Sequence, residues 1–160
     1  MQDMLVRLLD LPDITKAEKK LLEKEHIVFR KPIPPEKSIL VNWVRENFSI
    51  NWADETAAAF THLPTTCFIA QREQSILSFA CFESTAKNFF GPTGVLPSER
   101  GKDIGKVLLV KSLMALLEMG YAYAIIGGVG PAAYYEKTVG AKIIEKSERS
   151  IYQNLLKQPK

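Results

Sequence analysis

Residues 95–109 read V-L-P-S-E-R-G-K-D-I-G-K-V-L-L, and this stretch gathers the residue types that hold an anion. Val95 and Leu96 close an apolar, strand-like run. Arg100, Gly101, Lys102, Asp103, Ile104, Gly105 and Lys106 follow as a tight, basic, glycine-bearing turn. Ile104, Val107, Leu108, Val110, Leu113, Met114, Leu116 and Leu117 then recur at helical spacing. A strand, a turn and a helix N-terminus in that order present unpaired backbone N–H groups to an anion. Arg100, Lys102 and Lys106 add positive charge. The chemistry suited is the binding of a pyrophosphate, and so of a nucleotide-like cofactor. Three other groups are candidates for proton transfer. Glu55 lies three residues after Trp52, nearly on the same helix face, and a carboxylate beside an aromatic suits recognition of an ammonium group. Glu83 ends an apolar strand-like run, and His62 has the ordinary pKa nearest neutrality.

These residues need a frame. The run 27–30 reads as a first main strand. Pro32, Pro34 and Pro35 form a stiff connector, after which Ile39, Leu40, Trp43, Val44 and Phe48 recur at helical spacing. Asn51 is placed to cap a helix over 52–62. Residues 65–72 and 75–83 read as a hairpin turning at Glu73-Gln74. The next strand, 89–96, contains Gly91, Pro92 and Gly94, which predicts a bulge or a close backbone approach. A buried parallel-type strand is predicted over 123–128, a short helix from Pro131 to Gly140, a strand over 142–146 and a last strand over 151–155. At the start, the apolar run 4–9 is either an edge strand or a small helix. Thr15 and Glu18 have capping-box spacing for a helix over 16–24.

The turn resembles the acyl-CoA signature of the GCN5-related N-acetyltransferase (GNAT) superfamily, Arg/Gln-x-x-Gly-x-Gly/Ala. Arg100 stands first and Gly105 last, with Asp103 in place of the middle glycine. Tyr134-Tyr135-Glu136-Lys137 resembles the second signature, Ala-x-x-Phe-Tyr-Glu-Lys-x-Gly-Phe, with one extra residue before Gly140 and Ala141 in the aromatic position. The two signatures stand in the right order with a strand between them, and the resemblance covers about residues 67–155. It implies a mixed α/β GNAT fold: a twisted, mostly antiparallel central sheet, splayed at a parallel strand pair and flanked by helices. It implies one acetyltransferase domain over 1–160, with 1–25 as an N-terminal extension packing on it. The irregular strand 89–96 would then expose backbone groups to the pantetheine arm and thioester, and the two helices before the hairpin would wall the acceptor site.

The implied reaction moves an acetyl group from acetyl-CoA to a primary amine of a small molecule (amino sugar, amino acid or polyamine) by direct attack. Under the resemblance, Tyr135 donates to the departing thiolate, with Tyr134 as the alternative. A backbone N–H at Val95 or a neighbour meets the developing oxyanion. Glu55 and Glu83 rank above His62 as base. No metal is called for. A second reading is a GNAT-fold module that holds CoA or an acylated ligand without turnover, motivated by Asp103 beside the phosphate-binding turn. A Rossmann-type dinucleotide domain fits less well, because Gly-x-Gly-x-x-Gly is absent and the turn comes late.

Composition agrees with a chain of this class. The 160 residues are 46% hydrophobic and 24% charged, enough for one core. A net charge of +3 suits an anionic cofactor and is too weak to argue for nucleic acid. Two cysteines, Cys67 and Cys81, sit in strand-like runs and are expected to be reduced; neighbouring strands would allow them to face each other, with a disulfide as the lesser alternative. With no signal peptide or long apolar span read in the sequence, the expectation is a cytoplasmic protein acting away from membranes. A homodimer is a further expectation, since the last strand and splayed edge often support dimers in this fold.

Overall fold

The hairpin forms as expected: β3 (Cys67–Arg72) and β4 (Ser75–Phe82) pair antiparallel around Glu73, whose φ of 53° makes the turn. The computed structural model describes residues 1–157 and residue 159. Five more strands complete a sheet with β3 and β4: β1 (Gln2–Arg7), β2 (Ile27–Arg30), β5 (Phe89–Val95), β6 (Tyr123–Val129) and β7 (Lys142–Ile143). Their order is β2-β3-β4-β5-β6-β1-β7, antiparallel throughout except for the β5–β6 pair. The helices are α1 (Thr15–Glu25), α2 (Lys37–Asn47), α3 (Ile50–Ala59), α4 (Ile104–Glu118) and α5 (Ala132–Val139). No helix among the described residues is long and apolar enough to cross a membrane.

Alternation along the strands gives the sheet two apolar faces. On one, Phe82, Phe90 and Ile126 pack with Ile104, Leu108 and Leu113 of α4. On the other, Cys67, Ile69, Phe79 and Cys81 pack with Leu40 and Val44 of α2 and Ala53 and Ala59 of α3. Phe79 and Phe82 are sealed, one toward each face. Truncating either to alanine would cost about 3–5 kcal/mol. Cys67 and Cys81 are direct cross-strand partners and free thiols, and burial pushes the Cys67 thiol well up.

Several local expectations are corrected. Residues 4–9 are neither an edge strand nor a helix: β1 lies inside the sheet between β6 and β7, and only 8–10 form a short 3-10 turn. Residues 2–7 are therefore part of the sheet. No strand forms over 151–155, and 151–154 is a turn. The strand expected over 142–146 shortens to two residues, and Lys146 has φ 61°. Helix α1 is not opened by a Thr15–Glu18 box. Asp13 Oδ1 accepts from the Thr15 N–H at 2.8 Å and its hydroxyl at 2.6 Å. Helix α3 is capped by Ser49, whose Oγ accepts from the Trp52 N–H at 3.1 Å, and not by Asn51. A cap of this kind contributes about 1 kcal/mol.

The stiff connector after β2 is locked by charge. Arg30 Nη1 and Nη2 donate to the two Glu36 carboxylate oxygens at 2.8 and 2.6 Å, and the Ile33 N–H donates to Glu36 Oε2 at 2.9 Å. The Arg30 guanidinium, aided by that N–H, holds the Glu36 carboxyl down from 4.5 to about 2. A carboxyl depressed by folding stabilises the fold above its unfolded pKa and loses that contribution as pH falls through the folded one. Stability should therefore drop between pH 4.5 and about 2, and Glu36→Gln should remove part of that drop. Denaturant midpoints of the two proteins across this range test it; identical slopes would refute it.

Candidate active site

Strands β5 and β6 pair for two rungs only, Phe89↔Ile125 and Phe90↔Ile126. Beyond them β5 continues against β4 to Val95, while β6 continues against β1 to Val129. The glycines of 89–96 are used here. Gly91 has φ 120°, open to glycine alone, and the β4–β5 register shifts opposite it between Ala80 and Phe82. At Gly94 a β-carbon would stand 2.5 Å from Phe48 ring atoms. The Leu96 N–H donates to Leu77 O at 3.0 Å, so Val95, opposite Ser78, is a non-hydrogen-bonded rung. Its N–H and C=O, and those of Thr93, consequently face the gap between the strands.

The basic turn lies at the far end of that gap. Asp103 takes the left-handed conformation, φ 68°, directly before α4. This explains a glycine signature at that position, and aspartate is among the residues that best tolerate it. The exposed Asp103 side chain makes no helix cap. The Val107 N–H closes onto Asp103 O at 3.1 Å, so the N–H groups of Ile104, Gly105 and Lys106 form the open first turn. A β-carbon on Gly105 would stand 3.3 Å from Val95 Cγ2 and 3.6 Å from the Tyr134 hydroxyl. The missing side chain leaves a cradle between β5, α4 and α5. The Ile104 side chain is core.

The cations of the turn differ in their commitments. Lys102 Nζ pairs with Glu99 at 3.0 Å and Glu25 at 3.4 Å, and Arg72 bridges the same two carboxylates. This network ties the turn to α1 and β3, and Arg72 and Lys102 hold the Glu99 carboxyl below its ordinary range. Arg100 is exposed, with its Nε donating to Val95 O at 3.3 Å. Neither Arg100 nor Lys106 forms an ion pair among the described residues.

The two tyrosines of α5 stand at different depths. The Tyr134 hydroxyl faces the Gly105 cradle, and its phenol is pushed up by burial and then by the Asp103 charge. Tyr135 is 8% exposed, and its ring packs edge-on against Phe90, the residue on the last β5–β6 rung. Burial pushes its phenol up to about 12, so it stays protonated at neutral pH. Its hydroxyl makes no hydrogen bond among the described residues, and none of their sealed side-chain oxygens or nitrogens lacks a partner. That hydroxyl therefore keeps access to solvent.

The opposite face of the sheet carries a second cluster at the same level. Glu55 on α3 accepts from the Thr85 hydroxyl at 2.6 Å and from the Tyr152 hydroxyl at 3.5 Å. The Tyr152 ring lies over Gly127, where a β-carbon would meet it at 3.1 Å and Phe89 at 3.0 Å. Trp52, one turn before Glu55, packs on Phe48 with ring centroids 5.5 Å apart. Sequence reasoning missed Thr85 and Tyr152, because no local pattern links them to Glu55.

Glu83 is placed elsewhere. Its carboxylate accepts from the Asn88 N–H at 3.1 Å, its own N–H donates to Phe89 O at 2.9 Å, and its φ is 51°. It latches the β4–β5 loop at the end where β5 and β6 are still paired. His62 lies in the loop after α3, its N–H on Ala59 O at 3.5 Å. The structure thus brings Val95, Arg100, Gly105, Lys106, Tyr134 and Tyr135 to one side of the gap and Glu55 to the other.

No family model and no curated protein matches this sequence. Solved structures do match. A GCN5-related glucosamine N-acetyltransferase region of a fungal multi-domain β-N-acetylglucosaminidase superposes with a TM-score of 0.71 at 18% identity, over 89% of this chain and 19% of that one. A GCN5-related N-acetyltransferase from Sphaerobacter thermophilus gives 0.68 at 18% identity, over 89% and 48% of the respective chains. A GNAT family acetyltransferase from Brucella melitensis, solved with acetyl-CoA, gives 0.56 at 19% identity, over 74% and 87%. The chain spans about a fifth and about half of the first two. At these identities the likeness is one of fold.

Proposed function

We propose that this chain, which has the fold of the GCN5-related N-acetyltransferases, moves an acetyl group from acetyl-CoA to a primary amine of a small molecule. One observation carries the reading. The only parallel strand pair among the described residues opens after Phe90 and Ile126, with Tyr135 at the opening on one face and Glu55 on the other. A gap through the sheet with a proton donor on one side and a carboxylate on the other suits transfer across it.

The turn fits a diphosphate. The cradle at Gly105 lies beside the open N–H groups of Ile104, Gly105 and Lys106, and Arg100 and Lys106 of the same turn carry charges with no ion pair among the described residues. Acetyl-CoA supplies, when bound, the activated thioester. The N–H groups on the open edge of β5, at Thr93 and Val95, are directed to donate to an oxyanion in the gap. Tyr135 holds a proton for a departing thiolate. Glu55 accepts the proton that the attacking ammonium must lose, and Trp52 and Phe48 beside it give the acceptor a partly aromatic wall.

Calorimetric titration with acetyl-CoA, beside free CoA and NAD, tests the cofactor side; selective binding of acetyl-CoA and CoA is expected, and no binding would refute it. Thiol release is then followed across amines. Amino sugars come first, because one structure of this fold is a glucosamine N-acetyltransferase region, followed by amino acids and polyamines. Arg100→Ala should weaken acetyl-CoA binding, more strongly at low salt, while Lys102→Ala should weaken it less, because Lys102 is already paired to Glu25 and Glu99. Equal losses in the two variants would show that Lys102 leaves its ion pairs for the ligand.

Asp103 supports a second reading, a module that binds CoA without turnover, since its carboxylate stands in the phosphate-binding turn beside Tyr134. Asp103→Gly separates the two. A large gain in acetyl-CoA affinity would mark the native turn as weakened.

A further inference from the structure

We propose that Asp3 is a positioning residue for the acceptor side of the gap: it fixes a bulge in β6 and thereby holds the Tyr152 ring in place against Glu55. The inference rests on the acetyltransferase reading above and assigns a determinant of acceptor binding within it.

The register between β1 and β6 jumps from Met4↔Ile126 to Gln2↔Val129. Two steps along β1 match three along β6, so β6 carries an extra residue at Gly127–Gly128, directly after its last rung with β5. Gly128 has φ 59°, and the bulge turns its N–H out of the regular ladder. Asp3 stands opposite, and its Oδ1 accepts that N–H at 2.8 Å. A carboxylate on an inner strand is costly to bury unless such a donor meets it. Asp3 is only 8% exposed, so the contact is protected from water.

The same residue ties down the segment that carries Tyr152. The Asp3 N–H donates to Ser147 Oγ at 2.8 Å, and Asp3 O accepts from the Ile144 N–H at 2.9 Å. The chain then runs on to Tyr152, whose ring covers the bulge glycines and whose hydroxyl donates to Glu55. A β-carbon on Gly127 would stand 3.1 Å from the ring, tighter than ordinary contact, and at Gly128 the φ of 59° rather than the space favours glycine. The Asp3 carboxylate thus clamps the bulge beneath the ring, while the main chain at the same position holds the segment that bears it.

The test compares Asp3→Ala with Asp3→Asn. The asparagine amide oxygen still accepts the Gly128 N–H, whereas alanine leaves it unpaired. In Asp3→Ala the acceptor KM should rise about tenfold or more, with acetyl-CoA affinity unchanged within about twofold. Asp3→Asn should restore most of the loss. Independently of activity, the Gly127 Cα proton resonances, shifted by the Tyr152 ring, should move toward random-coil values in Asp3→Ala and stay in Asp3→Asn. Tyr152→Ala removes the ring without touching β1 and should raise the same KM, so the proposal can be judged even if Asp3→Ala does not fold. An unchanged acceptor KM in Asp3→Ala or in Tyr152→Ala overturns the proposal, as do unmoved glycine resonances in Asp3→Ala. Absence of turnover with every amine in the wild-type protein would sink the acetyltransferase reading instead, and the resonance comparison would still decide whether Asp3 holds the ring.

Discussion

Tyr135→Phe should lower turnover about a hundredfold while acetyl-CoA binds as before. The substitution removes one oxygen and keeps the ring that packs on Phe90, so the core loses nothing. With the phenol pushed up to about 12, the hydroxyl is a proton holder at every assay pH near neutrality, and its worth lies in donating to a thiolate as charge develops. The loss should therefore appear in kcat and in kcat/KM alike. The wild-type rate should show no descending limb from this group below about pH 10. Steady-state thiol release, with calorimetric affinity for acetyl-CoA measured on the same preparations, checks both halves. Full activity in the variant would remove Tyr135 from the role and transfer it to Tyr134, whose hydroxyl faces the Gly105 cradle.

Glu55→Gln should lower kcat/KM for the amine about a hundredfold near neutral pH. Glutamine keeps an oxygen for the Thr85 and Tyr152 hydroxyls, so the cluster retains its geometry and loses only its charge and basicity. The sign of the pH effect follows from the acceptor. Raising the pH delivers more of the amine already neutral, so the deficit should shrink as the pH approaches the amine's own pKa. A deficit constant across pH would mean that Glu55 binds the ammonium without accepting its proton. No deficit at all would reduce Glu55 to an anchor for the Thr85 loop and Tyr152, and the base would have to be sought elsewhere.

The candidate site divides into a half that local sequence reveals and a half that it does not. Residues 95–106 are contiguous: a strand, a turn and the first turn of a helix. Their chemistry rests on backbone geometry set within a few residues, and glycine and charge patterns report it directly. The splay is similarly announced by Gly91, Pro92 and Gly94. Caps are read less well, because Ser49 and Asn51 are both good caps and the choice between them depends on where packing starts the helix. Glu83 illustrates the opposite failure. Its position after a core strand suggested chemistry, but a left-handed backbone at Glu83 turns it back onto its own loop.

The other half joins Glu55 to Thr85 across 30 residues, Glu55 to Tyr152 across 97 and Asp3 to Gly128 across 125. No periodicity or spacing links such positions; each contact exists because the sheet order brings distant segments together. The strand order itself shows this most plainly. Residues 4–9 had two local readings, an edge strand or a small helix, and pairing with β6 on one side and β7 on the other made β1 an inner strand instead. By itself the sequence determined the hairpin, the basic turn and the helix that follows it, because those depend on side-chain periodicity and on neighbouring residues. Only the tertiary structure decided which strand fills the slot beside β6, which tyrosine stands at the opening and what surrounds Glu55, because backbone pairing and side-chain contact between remote segments are set by the whole packed sheet.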